Sequence, residues 1–180
     1  MGGYSLFTYQ LRDTADLLTP SLIYYEPLIR QNIERILQIA GGEGIGQQRL
    51  WPHIKTHKSL DVTRLLMSYG IVKFKAATIA EAEMCCMTGA EKVVLAYPLI
   101  GPNQRRYLQL QAAYPLVRLY AIQDDFEQIK RLDAAVHEAR EQGLLPADYV
   151  LPVLIDVDMG LKRTGADMDS LKEMARGIQG

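Results

Sequence analysis

The stretch RLWPHIKTH (residues 49–57) sets two histidines and a lysine into an otherwise largely apolar run. Charged and imidazole side chains are costly to bury, so their placement carries information. Successive side chains of a strand point to opposite faces. Read as a strand, the stretch puts Trp51, His53, Lys55 and His57 on one face and Leu50, Pro52, Ile54 and Thr56 on the other. VLPVLIDVD (150–158) divides the same way, with Leu151, Val153, Ile155 and Val157 apolar and Asp156 and Asp158 opposite. Strands of a parallel sheet covered on both sides read as apolar throughout. An apolar face toward helices with a polar face inward is instead the pattern of barrel strands that feed an active site.

Working outward, short β-branched runs alternate with helical patterns. SLIYYE (21–26) reads as a strand. A helix opened by Pro27 follows, with Ile29, Ile33, Ile36, Leu37 and Ala40 on one stripe. GGEGIG (41–46) reads as a plain turn, since it follows a helix and precedes a strand, the wrong context for a dinucleotide fingerprint. Further on, strands are expected at VKFKAAT (72–78), KVVLAY (92–97), VRLYAI (117–122) and YVLPVLIDVD (149–158). Between them lie helices at 60–70, 79–89 (closed by Gly89) and 103–113. A longer helix follows VRLYAI, capped by Asp124 or Asp125, with Phe126, Ile129, Leu132 and Val136 inward, and a last one starts near Asp169. Six strands alternating with helices imply parallel βαβ units. The candidates are a doubly wound sheet and a (β/α)8 barrel, and the polar inward face favours the barrel. A complete barrel needs about 250 residues. The chain has 180 and stops within a helical pattern at MARGIQG, as expected of a truncated chain.

Composition narrows the classes. The length suits one domain. A net charge of -1, with acids and bases mixed, argues against nucleic acid or an anionic membrane as partner. No apolar run reaches membrane length, and MGGYSLFTYQLRD lacks the basic-then-apolar plan of a secretory signal, so a cytoplasmic location is expected. Cys85 and Cys86 are adjacent, which disfavours a disulfide between them; with Met84 and Met87 they read as helix packing.

In a barrel, functional groups collect at the C-terminal strand ends, here His57, Thr78, Tyr97 and Asp158 with their loops. Lys55 has two readings. Enclosed by barrel wall, it loses solvation, which favours the neutral nucleophilic amine that forms Schiff bases with carbonyls, pyridoxal phosphate included. Alternatively it pairs with Asp156 or Asp158 for structure alone. Lys58 points the other way, solvated or helping to hold a phosphate. On a strand His53 and His57 stand roughly 13 Å apart, too far to share a metal. His137 lies on an amphipathic helix as a surface residue, so no metal site is complete in the chain.

The segments TPSLIYYEPLIRQNIERI, PHIKTHKSL, KFKAATIAEAEM, VVLAYPLIGPN and LIDVDMGLKRTG, in that order, resemble the N-terminal barrel of the alanine racemase-like, fold-type III pyridoxal-phosphate enzymes. Within them the likeness is to the D-threonine aldolase and D-serine dehydratase group, over roughly residues 19–166. The P-H-x-K-T-H-K and D-x-G-x-x-R-T-G elements are specific together. The resemblance implies that residues 1–180 are the N-terminal part of a (β/α)8 barrel holding about five of its eight strands, SLIYYE preceding the barrel proper. It implies that Lys55 forms the Schiff base with pyridoxal 5'-phosphate, with His57 catalytic beside it. Arg163 would lie near the cofactor ring, Tyr97 would wall the pocket, and His53, Asp158 and Thr164 would complete the cofactor set. The expected activity is a lyase acting on a D-β-hydroxy amino acid, as an aldolase or a dehydratase. An amino-acid racemase and a non-catalytic pyridoxal-phosphate-binding protein are the alternatives. Two features depart from the group: Trp51 stands where an arginine is usual, and the phosphate cradle and the divalent-metal ligands of a C-terminal β-domain belong to later regions. The 180-residue piece alone is therefore expected to be inactive, and the full-length protein to be a homodimer.

Overall fold

A computed structural model describes Tyr9 and residues 11–178. The chain forms two compact units, one up to Gly46 and one from Gln47 onward. In the first, helix α1 (Glu26–Ile39) carries Pro27 in its first turn and buries Ile33 and Leu37. Ile36, expected on the same stripe, is exposed. SLIYYE is not a strand. Leu22, Ile23 and Tyr24 are exposed, leaving no buried face to pair, and Glu26 already opens α1 behind the N-cap Tyr25.

The second unit holds the sheet. A short helix α2 (Ile45–Arg49) spans the unit boundary. RLWPHIKTH is extended only over its middle. The Pro52 carbonyl accepts the Lys75 amide at 2.9 Å, and His53 bridges Lys75 in parallel. Ile54–Thr56 is then a 3-10 turn. Ile54 drops completely into the core, and its carbonyl accepts from the amides of His57 and Lys58. The expected strand is thus cut short, and its face alternation ends at His53.

Four strands follow: β1 (Lys73–Ala76), β2 (Lys92–Leu95), β3 (Arg118–Gln123) and β4 (Val153–Ile155). They form one parallel sheet in the order β1-β2-β3-β4, with His53 flanking β1. The six expected strands reduce to these four plus that bridge. A doubly wound sheet reverses its strand order at a switch point; this one runs in a single direction, as a barrel wall does. The helices between are α3 (Leu60–Ser68), α4 (Ile79–Met87), α5 (Pro102–Ala113), α6 (Phe126–Glu141) and α7 (Met168–Ile178). From α3 to α7 each helix touches the next, while α4 packs on β1 and β2 and α6 on β3. The chain therefore carries part of a (β/α) barrel wall.

Two buried rows knit the sheet to its helices. Phe74, Val93 and Leu119 lie in register, as do Ala76, Leu95 and Ala121, all at most 3% exposed. On the opposite face Lys75, Val94 and Tyr120 are in register, with Lys75 exposed and the other two half-buried. Trp51 belongs to that face: its ring meets Tyr120 edge-on at 5.9 Å, and the Lys73 ammonium lies 5.7 Å over it. Helix starts follow the expected chemistry, with Ser59, Thr78 and Asp125 side chains accepting amides of the first turns of α3, α4 and α6. Cys85 and Cys86 are free and buried, and burial pushes both thiols up to about 12. No helix among the described residues is long and apolar enough to cross a membrane.

Two substitutions test this core. Phe74→Ala, at a fully buried site, should lower unfolding free energy in urea by about 3–5 kcal/mol. Tyr107→Phe should act oppositely. The Tyr107 hydroxyl is fully buried and finds no hydrogen-bond partner among the described residues, so its removal should leave stability unchanged or raise it by about 1 kcal/mol.

Candidate active site

The C-terminal ends of the strands gather most of the titratable residues singled out in the sequence. After the strand position that flanks β1, the turn at 54–56 presents Lys55, which is exposed. Lys55 leaves the strand on that turn, and the part of the barrel wall that this chain carries does not enclose it. The structural pairing is not found either: among the described residues Lys55 forms no ion pair with Asp156, Asp158 or any other carboxylate.

The two histidines shape the turn through backbone contacts. His53 Nδ1 accepts the Lys55 amide at 3.4 Å, and His57 Nδ1 accepts the Ser59 amide at 3.1 Å. An imidazole that accepts at Nδ1 is neutral and carries its proton on Nε2. Burial lowers both imidazoles below their ordinary value of 6.5; for His53 the cations of Lys55 and Lys75 push the same way. The strand spacing that kept the histidines apart does not survive the turn. Even so, no group of three or more His, Cys, Asp or Glu able to hold a metal occurs among the described residues.

Beyond β1, Thr78 is the N-cap of α4 and not a free functional group: it accepts the Glu81 amide at 3.1 Å. Glu81, only 6% exposed, returns a carboxylate oxygen to the Ala77 amide at 2.7 Å. Its other oxygen lies 3.6 Å from Lys58 Nζ. Lys58, at φ 48°, thereby ties the Lys55 turn to α4. Sequence reading passed over Glu81, although Thr-x-x-Glu ahead of an apolar run is the signature of a capping box.

After β2, Tyr97 stands 41% exposed beside a pocket of about 400 Å3, shared with Thr78, Leu99, Asn103 and Arg106. The Arg163 guanidinium lies 5.7 Å over the Tyr97 ring, joining the loop after β4 to the loop after β2. That β4 loop is closed upon itself. Past Ile155 the chain continues as a strand only through the Val157–Ala166 bridge, so β4 is shorter than expected because the returning chain takes its ladder. Asp158 Oδ1 accepts the amides of Gly160 and Lys162 at 2.9 and 3.0 Å, and those bonds lower its carboxyl below the ordinary value. Asp158 thus holds the loop that carries Arg163 and the half-buried Thr164. Gly165, at φ 104°, has the backbone of Val157 and Asp158 2.5–2.7 Å from where a Cβ would stand, and its amide donates to Asp124 Oδ2 at 2.9 Å. Asp124, weighed only as a helix cap, is a loop anchor; the cap is Asp125.

The sequence model described as "Alanine racemase, N-terminal domain" matches residues 27–180. A curated relative, D-threo-3-hydroxyaspartate dehydratase of Delftia sp. (strain HT23), is 25% identical over 84% of this chain and 36% of its own length. Among solved structures, D-threonine aldolase from Filomicrobium marinum superposes with a TM-score of 0.71 at 25% identity, covering 92% of this chain and 42% of that one. The D-threo-3-hydroxyaspartate dehydratase H351A mutant superposes at 0.63 with 26% identity, over 78% of this chain and 33% of that one. The chain therefore spans between a third and a half of these relatives.

The site yields two tests. A folded imidazole held below its unfolded value binds protons less readily than the unfolded chain, so stability is full above pH 6.5 and falls as pH drops below it. Urea midpoints should fall from about pH 7.5 to about pH 5.5, and His57→Gln should flatten that slope. Gly165→Ala should open the β4 loop. The expected cost is about 2 kcal/mol or more, with faster proteolysis at 158–166 than in the parent chain.

Proposed function

The chain belongs to the family of alanine racemase N-terminal domains, and from that premise we propose that it is the lysine-bearing part of a pyridoxal-phosphate lyase acting on D-β-hydroxy amino acids. Its similarity to an aldolase for D-threonine and a dehydratase for D-threo-3-hydroxyaspartate supports this substrate class. The observation that carries the reading is Lys55: an exposed amine with no carboxylate partner among the described residues, on a turn at the C-terminal end of the sheet.

The residues present suit pyridoxal phosphate. Lys55 offers an amine for its aldehyde; Arg163 and Tyr97 offer a cation and an aromatic wall over the same strand ends. His53 and His57 are neutral imidazoles flanking the turn that carries that amine, and Thr164 adds a hydroxyl next to Arg163. When bound, pyridoxal phosphate supplies an electron sink for breaking a bond at the amino acid Cα.

Each residue then has a part. Lys55 would hold the cofactor, and its amine, when free, could move a proton. His57 holds a proton on Nε2 within the Lys55 turn and can pass it on, being lowered from its ordinary value and so neutral at pH 7. Arg163, on the loop fixed through Asp158 and Gly165 and over the Tyr97 ring, would help hold the cofactor. The 3.6 Å Lys58–Glu81 pair holds the turn in place. A racemase is the second reading, favoured by the family itself; it uses the same residues and differs in the fate of Cα.

Borohydride reduction of the cofactor-loaded protein should leave a pyridoxyl mass increment on the peptide bearing Lys55. In the full-length protein Lys55→Ala should lose that increment and reduce turnover on the order of a thousandfold, about 4 kcal/mol of barrier. Covalent trapping that persists in Lys55→Ala would refute the assignment. Separate incubations with D-threonine and D-alanine decide the reaction: glycine and acetaldehyde, or a 2-oxo acid with ammonia, mark the lyase, and L-alanine the racemase.

A further inference from the structure

A capping-box glutamate ordinarily returns to the amide of the N-cap residue. Glu81 reaches further. Its carboxylate passes Thr78 and takes the amide of Ala77, the residue that leaves β1, and its side chain is only 7% exposed. Capping α4 requires no buried charge, since Thr78 already accepts an amide of the first turn. A buried carboxylate is costly unless it is paired and hydrogen-bonded. The pairing comes from Lys58, outside α4 and just past the Lys55 turn. Lys58 is itself held at both ends. Its backbone sits at φ 48°, where a side chain is unfavourable unless the surroundings enforce it. Its amide donates at 2.8 Å to the carbonyl of the fully buried Ile54, which closes the turn, and its ammonium fixes the closed turn to the head of α4. The exposed pairs on α1, α3, α6 and α7, by contrast, join residues three or four apart on one helix, where they hold little.

On the cofactor reading proposed for this site, we propose that Glu81 is a positioning residue for the Lys55 amine: through Lys58 it fixes where the turn presents that amine, so the hold on pyridoxal phosphate depends on a carboxylate of α4. The same carboxylate faces both imidazoles that flank the turn. Burial lowers the two histidines, as do the cations of Lys55 and Lys75 at His53, and the Glu81 charge opposes that lowering at each. The histidines therefore report on Glu81 even with no cofactor bound. Glu81→Gln isolates the role, because it keeps an amide oxygen for the Ala77 amide and removes the charge that meets Lys58. A residue that served α4 only as a cap would lose little by that change.

In the full-length protein, pyridoxal phosphate is titrated into the cofactor-free parent, Glu81→Gln, Lys58→Met, the double variant and Lys58→Arg, with bound cofactor read by its absorbance. Glu81→Gln and Lys58→Met should each bind about tenfold more weakly than the parent. The double variant should be no weaker than either, and Lys58→Arg should bind like the parent. Parent-like binding in both single variants, or losses that add in the double variant, overturn the proposal. NMR titration of His53, His57 and His137 without cofactor gives a second readout. Glu81→Gln should move the midpoints of His53 and His57 downward and leave that of the exposed His137 in place; unmoved His53 and His57 overturn the proposal. A parent that captures no cofactor at Lys55 refutes the cofactor reading instead, and the histidine midpoints then decide whether Glu81 governs the turn. If Glu81→Gln does not fold by circular dichroism, Lys58→Met, at a side chain 67% exposed, decides alone: tenfold weaker binding supports the proposal and parent-like binding overturns it.

Discussion

Phe74, Val93 and Leu119 stand in one register across three parallel strands, and above them Ala76, Leu95 and Ala121 repeat the arrangement. Side chains that alternate along a strand cannot shift by one residue without turning every apolar group outward. Burial of these two rows against the helices thereby fixes the register, and the register fixes everything placed at the strand ends. The turn at Lys55, the Tyr97 ring and the Arg163 loop share one end of the sheet because those six apolar side chains share one side of it.

Much of this was legible in the sequence. The helices α3 to α7, the inward stripe and Asp125 cap of α6, and the strands β1 to β3 stand where the sequence pattern put them. Two strands failed for a common reason. Alternation in SLIYYE and RLWPHIKTH is a pattern of letters, and a strand also needs a neighbouring backbone to pair with. Ser21–Tyr25 have no buried face. In the second stretch the pull of Ile54 into the core, with His53 Nδ1 receiving the Lys55 amide, folds the chain into a turn after one bridging residue. The alternation correctly predicts that Trp51 and His53 share a face. It cannot extend to Lys55 and His57, whose exposure and neighbours come from the turn.

The positions of the candidate site residues were legible, their contacts less so. Lys55, His57, Tyr97 and Arg163 all lie at the expected end of the sheet. Asp158 and Thr78, taken for functional groups, spend their side chains on backbone amides. Short polar residues at loop starts satisfy the nearest orphan amide before they reach for anything else. Glu81 shows the converse: its letters spelled a helix cap, and only the fold shows that the cap also ties down the Lys55 turn through Lys58. Trp51, at odds with the family's usual arginine, has a physical account here, since its ring fills the open face between Lys73 and Tyr120.

The strand order β1-β2-β3-β4 has a consequence for how the chain reaches this state. Every strand pairs with the one made just before it, so each closure spans one helix and its loops, and none waits for a distant segment. Each parallel pairing must first close its crossover, and the entropy of closing each loop stays that of a short chain. A nascent chain leaving the ribosome can therefore lay down the wall one unit at a time. At every stage a single strand edge is the template for the next arrival.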